Sequence, residues 1–152
     1  MDTSRLIDRL GLQRHPEGGW YAETFRSPLR VHLADGRERS AVTAIHFLLE
    51  AGEFSALHRV SSDEIWHFGE GNPLELVTTL LGNNLAAGMK THHSVPAGWW
   101  QAARSRGSFG HSLAVCTVSP GFDFADFEMP GRTELLALLP GRRDLILEFT
   151  RP

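Results

Sequence analysis

The chain has 152 residues, of which 41% are hydrophobic and 22% are charged, and its formal net charge is -3 at pH 7. This length and composition are typical of a globular protein, and we expect residues 1–152 to form one domain. The negative charge argues against a general nucleic-acid partner, which would normally bind a basic face. The opening "MDTSRLIDRLGL" has charges where a signal peptide needs an apolar segment, and no window is apolar enough for a membrane span. We therefore expect a cytoplasmic protein without a membrane partner.

The N-terminal part of the chain predicts one short helix followed by many strands. Thr3 and Ser4 can cap a helix that ends at Gly11, and "HPEGG" then forms a loop rich in helix breakers. The strands that follow are read from alternation and from β-branched and aromatic residues: "WYAETFRS", "SAVTAIHFLLE", "FSALHRV", "EIWHFG", "LELVTTLL", "MKTHHSV", "WWQAA" and "HSLAVCTVS". Short strands at roughly even spacing predict an all-β barrel or sandwich.

In the C-terminal segment the apolar residues recur at a different spacing. "TELLALL" and "RRDLILEFT" carry apolar residues at helical spacing, and Pro140 and Gly141 separate them. We expect two short helices that pack on the outside of the barrel. Cys116, the one cysteine, lies in the apolar run "LAVCTV", which excludes an internal disulfide and predicts a buried thiol.

The stretch "GEFSALHRVSSDEIWHFGEG", residues 52–71, contains the first candidate for chemistry. Side chains alternate along strands, so Glu64, Trp66 and Phe68 share one face and His67 points the other way. His58 and Glu64 can then converge inside a barrel against an aromatic wall, as in many small-molecule pockets. The alternative is an ordinary hairpin with a solvated Glu64 and a hydrogen-bonded His58.

The spacing in this stretch resembles the first cupin motif, Gly-x5-His-x-His-x3-Glu-x6-Gly, matched at Gly52, His58, Glu64 and Gly71. Val60 stands where the motif has a second histidine. The second cupin motif, Pro-x-Gly-x2-His, begins at Pro96 and ends in Gln101 instead of histidine. Together with "HPEGGWYAETFRS", "TAIHFLL", "VPAGWWQ" and "VSPGFDFADFEM" in this order, these motifs resemble the small single-domain cupin family called Cupin-5.

This resemblance implies an all-β cupin jelly-roll β-barrel, here with a short N-terminal helix and short C-terminal helices. It also implies a cavity at one end of the barrel and a homodimer. It supplies no established reaction, because the cupin fold supports many functions.

Three functions remain open, and metal binding is the first. A cupin metal centre usually has three histidines and one glutamate, whereas this chain offers His58, Glu64 and the amide oxygen of Gln101. We therefore expect no metal ligands that form a tight site and no cofactor, with a weakly bound divalent metal as the alternative.

The second function is acid–base catalysis, with His58 and Glu64 as catalytic residues. The resemblance to epimerase cupins implies an isomerase- or epimerase-type reaction on a sugar-like or polar carbonyl substrate. Those enzymes pair the histidine with a tyrosine acid, and the one tyrosine here, Tyr21, can equally be a packing residue. For His15 we expect only a structural hydrogen bond in its loop.

The third function is a non-catalytic ligand-binding or sensory role. Aromatic side chains can stack on a sugar ring or a flat ligand, and a polar or carbohydrate-like small molecule is the expected partner. The candidate ligand-binding residues, for this role or for an enzyme, are Gln101, Trp66, Phe68, Trp99 and Tyr21. Glu23 and Arg26 on the first strand mark either the mouth of the cavity or a solvated edge.

Overall fold

The structure is a computed structural model that describes residues 2–152, so Met1, the first residue of the predicted domain, lies outside it. The described residues form three α-helices, α1 Thr3–Leu10, α2 Arg132–Leu138 and α3 Arg143–Glu148. They also form thirteen strands: β1 Gln13–Arg14, β2 Trp20–Arg26, β3 Arg30–His32, β4 Glu38–Ser40, β5 Thr43–Glu50, β6 Phe54–Val60, β7 Asp63–Gly71, β8 Leu74–Leu76, β9 Thr79–Leu81, β10 His92–Val95, β11 Gln101–Ser105, β12 His111–Ser119 and β13 Phe127–Glu128.

Two antiparallel sheets make up the body of the protein. One has six strands in the order β1-β2-β5-β12-β7-β10, and the other has five in the order β13-β6-β11-β8-β9. The main core cluster takes Phe47 and Trp66 from the first sheet and Leu76 and Ala103 from the second, so it lies between the sheets. This arrangement confirms the predicted all-β jelly roll.

The predicted helices are also confirmed. Helix α1 ends at Gly11, whose φ of 62° is the left-handed conformation that glycine adopts without a steric penalty. Helices α2 and α3 pack on the outer face of the five-stranded sheet, where Leu135 and Ile146 contact the cluster that includes Leu57 and Ala102. Within residues 2–152 the longest α-helix has eight residues, and none has the length and apolarity to cross a membrane.

Two segments differ from the sequence-based expectation. The segment predicted as one strand, "LELVTTLL", is a hairpin in which β8 pairs with β9 around Val77 and Thr78. The residues between β2 and β5, for which no strand was predicted, form the separate β3–β4 hairpin. The β8–β9 reversal has no local turn signal, whereas the β3–β4 turn contains Asp35 and Gly36, a common hairpin pair, with Gly36 at φ of 89°.

Candidate functional site

A cavity, which we call the interior cavity, lies between the two sheets. The volume in which the centre of a water molecule can lie is about 40 Å³, and the total empty space, which includes open solvent at the mouth, is about 470 Å³. The polar side chains that line it are His15, Glu17, Tyr21, Thr43, His58, Glu64 and Cys116. The apolar ones are Ile45, Phe47, Val60, Trp66, Val118, Phe122 and Phe127.

A β-bulge in β6 helps to place His58 on the cavity wall. Gln101 pairs with His58 and Ala103 pairs with Ser55, so three steps along β6 oppose two steps along β11. On a regular strand, residues three positions apart face opposite sides of the sheet. The extra residue in the bulge changes this alternation, so the buried side chains of Ser55 and His58 both face inward. The backbone N–H of Leu57, within the bulge, donates to the carbonyl of Phe149 in the C-terminal segment.

Glu17 reaches the cavity from the "HPEGG" loop, which packs tightly against the sheets. A side chain at Gly18, with φ of 104°, would lie 2.4 Å from the carbonyl oxygen of Phe54. Glycine is therefore required for this close approach. The carbonyl of Glu17 accepts a hydrogen bond from the backbone N–H of Ala56, which ties the loop to β6. Sequence analysis missed Glu17, because only these tertiary contacts turn a loop residue inward.

Glu17 and His58 form a buried pair in close contact. The Nε2 atom of His58 lies 3.2 Å from Oε2 of Glu17, and Oγ of Ser55 donates to the other carboxyl oxygen at 2.9 Å. The Nδ1 atom of His58 lies 2.7 Å from the carbonyl oxygen of Ala56. Since a carbonyl only accepts, Nδ1 carries a proton and Nε2 is the nitrogen that can exchange one.

Burial keeps this pair uncharged. It raises the pKa of Glu17 to about 8, against a smaller lowering effect of the Ser55 hydrogen bond, and it lowers the pKa of His58. At neutral pH the Glu17 carboxyl is therefore protonated and lies beside a neutral imidazole. The pair holds one mobile proton beside the cavity.

His15 also lines the cavity, which its expected structural role did not include. Its Nδ1 accepts a hydrogen bond of 3.2 Å from the backbone N–H of Glu17, so the expected loop hydrogen bond is present. Burial, together with the charge of His58, lowers the pKa of His15 to about 4. His15 is therefore neutral at physiological pH, and its ring packs edge-on to Tyr21 at 4.6 Å between centroids.

Glu64 faces the same cavity from β7 and is held by Gln101. The Nε2 amide of Gln101 donates to Oε2 of Glu64 at 2.7 Å, and the indole Nε1 of Trp66 donates to Oε1 of Gln101 at 2.8 Å. The indole N–H can only donate, which fixes the orientation of the amide. Burial raises the pKa of Glu64 to about 7, and the nearby Glu17 adds to the rise.

The cavity therefore contains two carboxyl groups whose pKa values burial raises towards neutrality, to about 7 for Glu64 and about 8 for Glu17. Near neutral pH the pair can hold one carboxylate and one carboxylic acid. A carboxylate and a carboxylic acid in one water-poor site are the elements of general base and general acid catalysis. Cys116 takes no part in this exchange, because burial raises the pKa of its thiol.

The structure brings some of the predicted site residues together and leaves others apart. Tyr21 lines the interior cavity, whereas Phe68 packs against the core cluster and is not among the lining side chains. Gln101 contacts Glu64 but is not among the side chains that line the interior cavity, and it lines a separate cleft instead. Trp99 is 64% exposed and lines a separate cleft, so it cannot contact a ligand bound beside His58. His67 points to the outer face and lies 3.1 Å from Oγ1 of Thr117, as alternation predicted.

The donor set does not fit a cupin metal centre. Of the four positions that match the ligand pattern, Val60 offers no donor atom, and the oxygen and the amino group of Gln101 are both engaged. His58 and Glu64 remain, and two ligands make a weak site. Within residues 2–152 no group of three or more His, Cys, Asp or Glu side chains is arranged to hold a metal ion.

The comparison with known proteins identifies the family. Residues 4–130 match the model of Cupin_5, a family of the cupin superfamily also called DUF985. This match covers most of the chain, and the chain belongs to that family, as its motifs predicted. Among curated proteins no relative matches.

Solved structures agree with this assignment. A hypothetical protein from Leishmania major is 32% identical over the full length of both chains, with a TM-score of 0.93. A protein from Shewanella oneidensis is 34% identical, with 100% of this chain and 99% of that chain covered and a TM-score of 0.91. A cupin 2 conserved barrel domain protein from Rhodopseudomonas palustris is 16% identical, covers 93% of this chain and 99% of its own, and has a TM-score of 0.52. The last shares only the fold.

Proposed function

We propose that the interior cavity binds a small polar carbonyl compound and moves a proton at the carbon next to the carbonyl, in an isomerase- or epimerase-type reaction. The observation that carries this proposal is the pair of buried carboxyl groups, Glu17 and Glu64, with pKa values raised to about 8 and about 7. Proton-transfer groups are most effective when their pKa lies near the working pH.

The two carboxyl groups have different roles in the reaction. Ionised Glu64 takes the proton from the carbon, and the C–H electron pair moves towards the carbonyl to form an enolate. The proton held by Glu17 and His58 is donated to the carbonyl oxygen, which stabilises the developing charge. Delivery of a proton from water to the opposite face of the same carbon gives an epimer, while the enol hydroxyl returns its proton to Glu17 and His58, and Glu64 releases its own to solvent. For a substrate that bears a hydroxyl group on this carbon, Glu64 instead returns its proton to the former carbonyl carbon and the hydroxyl gives its proton to Glu17 and His58, which gives an isomer.

The proposal predicts exchange of carbon-bound hydrogen with solvent. A panel of neutral, anionic and cationic carbonyl compounds is incubated with the protein in deuterium oxide, and loss of the proton signal is followed by NMR. We expect exchange in at least one compound, and the variant Glu64→Gln should slow it at least ~100-fold, because the base is lost while the side-chain shape is kept.

The matched control is His67→Gln, on the same strand but with its side chain on the outer face. It should exchange at the rate of the wild type. Exchange that persists in Glu64→Gln would contradict the assignment of the base. A compound that binds in the cavity without any exchange would instead favour the alternative of a non-catalytic binding or sensory cupin, for which the aromatic walls are equally suited.

A further inference from the structure

The walls of the interior cavity are largely aromatic. Besides the imidazoles of His15 and His58, its lining includes five aromatic side chains, those of Tyr21, Phe47, Trp66, Phe122 and Phe127. Several meet edge to face, for example Phe47 and Trp66 with centroids 5.5 Å apart and an interplanar angle of 85°. An aromatic face carries negative potential and attracts a cation that lies over it.

The cavity wall can carry negative charge but carries no fixed positive charge. Glu17 and Glu64 line it, of which Glu17 is protonated at neutral pH, and no lysine or arginine from the described part of the chain does so. The cleft outside the cavity shares Tyr21, Thr43, Ile45 and Phe122 with it and adds Glu23, Arg26 and Asp123. In that cleft Arg26 is neutralised by Glu23, with Nη2 and Oε1 2.7 Å apart. The approach to the cavity is therefore net negative.

From this lining we infer that the substrate is a small organic cation, a carbonyl compound that also carries an ammonium or quaternary nitrogen. The inference rests on the proposed function and narrows its substrate class. A buried cation needs compensation for its lost hydration, and here the aromatic faces and the Glu64 carboxylate provide it. A phosphate or carboxylate group would meet the Glu64 carboxylate and no lysine or arginine, so sugar phosphates and oxo acids do not fit.

Two probes of one shape test this inference directly. Choline and 3,3-dimethylbutan-1-ol differ only in the replacement of the positive nitrogen by carbon, and each is titrated into the protein by calorimetry near pH 8. We expect choline to bind at least ~10-fold more tightly, because a desolvated cation is attracted to aromatic faces and to a carboxylate, whereas the neutral alcohol is not. Glu64→Gln should weaken choline binding about tenfold and leave the alcohol unaffected, whereas His67→Gln should change neither.

Equal or tighter binding of the alcohol would overturn the inference, and so would the absence of binding by both probes. These results are distinct from failure of the proposed function. If a neutral or anionic carbonyl compound exchanges hydrogen while choline does not bind, the cation inference fails alone. If choline is preferred and no carbonyl compound exchanges, the proton-transfer reaction fails and the cation site remains.

Discussion

Replacement of Glu17 by glutamine should stabilise the protein in mildly alkaline solution, by about 2–4 kcal/mol near pH 8.5. The wild-type carboxyl is buried, and its pKa rises from 4.5 to about 8 on folding. Above about pH 8 the folded protein must therefore hold a buried charge. Glutamine carries no charge, can accept from Ser55, and can donate to Nε2 of His58, so it reproduces the protonated acid.

The sign of the pH dependence follows from proton linkage. Between pH 4.5 and about 8 the folded state keeps a proton on Glu17 that the unfolded state has lost, so wild-type stability falls as pH rises through this window. His15 and His58 have lowered pKa values and act in the opposite direction, but only below their ordinary value of 6.5. Glu64, with its pKa raised to about 7, also makes the stability fall as the pH rises to about 7. The window above about pH 6.5 is therefore dominated by the two glutamates.

Urea unfolding of wild type and Glu17→Gln at about pH 6.5 and about pH 8.5 measures this effect. The free energy of unfolding of Glu17→Gln should exceed that of the wild type by about 2 kcal/mol more at the higher pH than at the lower pH. Glu134→Gln, at an exposed position in α2, is the matched control. Its free energy of unfolding should differ from that of the wild type by the same small amount at both pH values. An advantage for Glu17→Gln that does not change with pH would show that Glu17 does not titrate on folding.

The double variant Val60→His, Gln101→His should gain a transition-metal site. Val60 lies two residues from His58 on the cavity wall, and Gln101 is the cross-strand partner of His58. Both new imidazoles therefore start from backbone positions beside His58 and Glu64. Three imidazoles and one carboxylate suit zinc. We expect zinc affinity to rise on the order of 1000-fold or more, because four-ligand zinc sites bind with about 10–16 kcal/mol and half of the ligands are new.

Calorimetric titration with zinc measures the gain after folding has been checked, since the larger side chain at position 60 costs about 1–3 kcal/mol. The control is the same double variant with His58→Ala, which should lose most of the affinity. A folded double variant that binds zinc no better than the wild type would contradict the geometry of these four positions. Strong wild-type binding that depends on His58 would contradict the two-ligand description of the natural site.

Much of the fold could be predicted because its signals are local. Strands β6 and β12 have the bounds that alternation gave them, Phe54–Val60 and His111–Ser119. The β8–β9 hairpin could not be predicted, because it turns at Val77 and Thr78 without glycine, proline or asparagine. Helix α1 was predictable because Gly11 marks its end.

The candidate site was predictable only in part. His58, Glu64 and Trp66 were assigned to one interior wall from motif spacing and alternation, and the structure places all three there. The position of Glu17 in the cavity depends on a loop that packs against β6, and the inward position of Ser55 depends on a bulge. The local sequence contains no signal for the packing of the loop or for the bulge. The exposed Trp99 was assigned to the site because aromatic side chains can stack on a flat ligand, and this property does not tell one cleft from another.

The most direct test of this description is an NMR titration of the glutamate carboxyl groups, with carbon-13 in the side chains. Two resonances should titrate with midpoints near 7 and 8, the values to which burial raises the pKa of Glu64 and Glu17. One should disappear in Glu64→Gln and the other in Glu17→Gln. If every glutamate instead titrates near the ordinary value of about 4.3, the cavity holds no proton-transfer groups poised at neutral pH, and the account is contradicted.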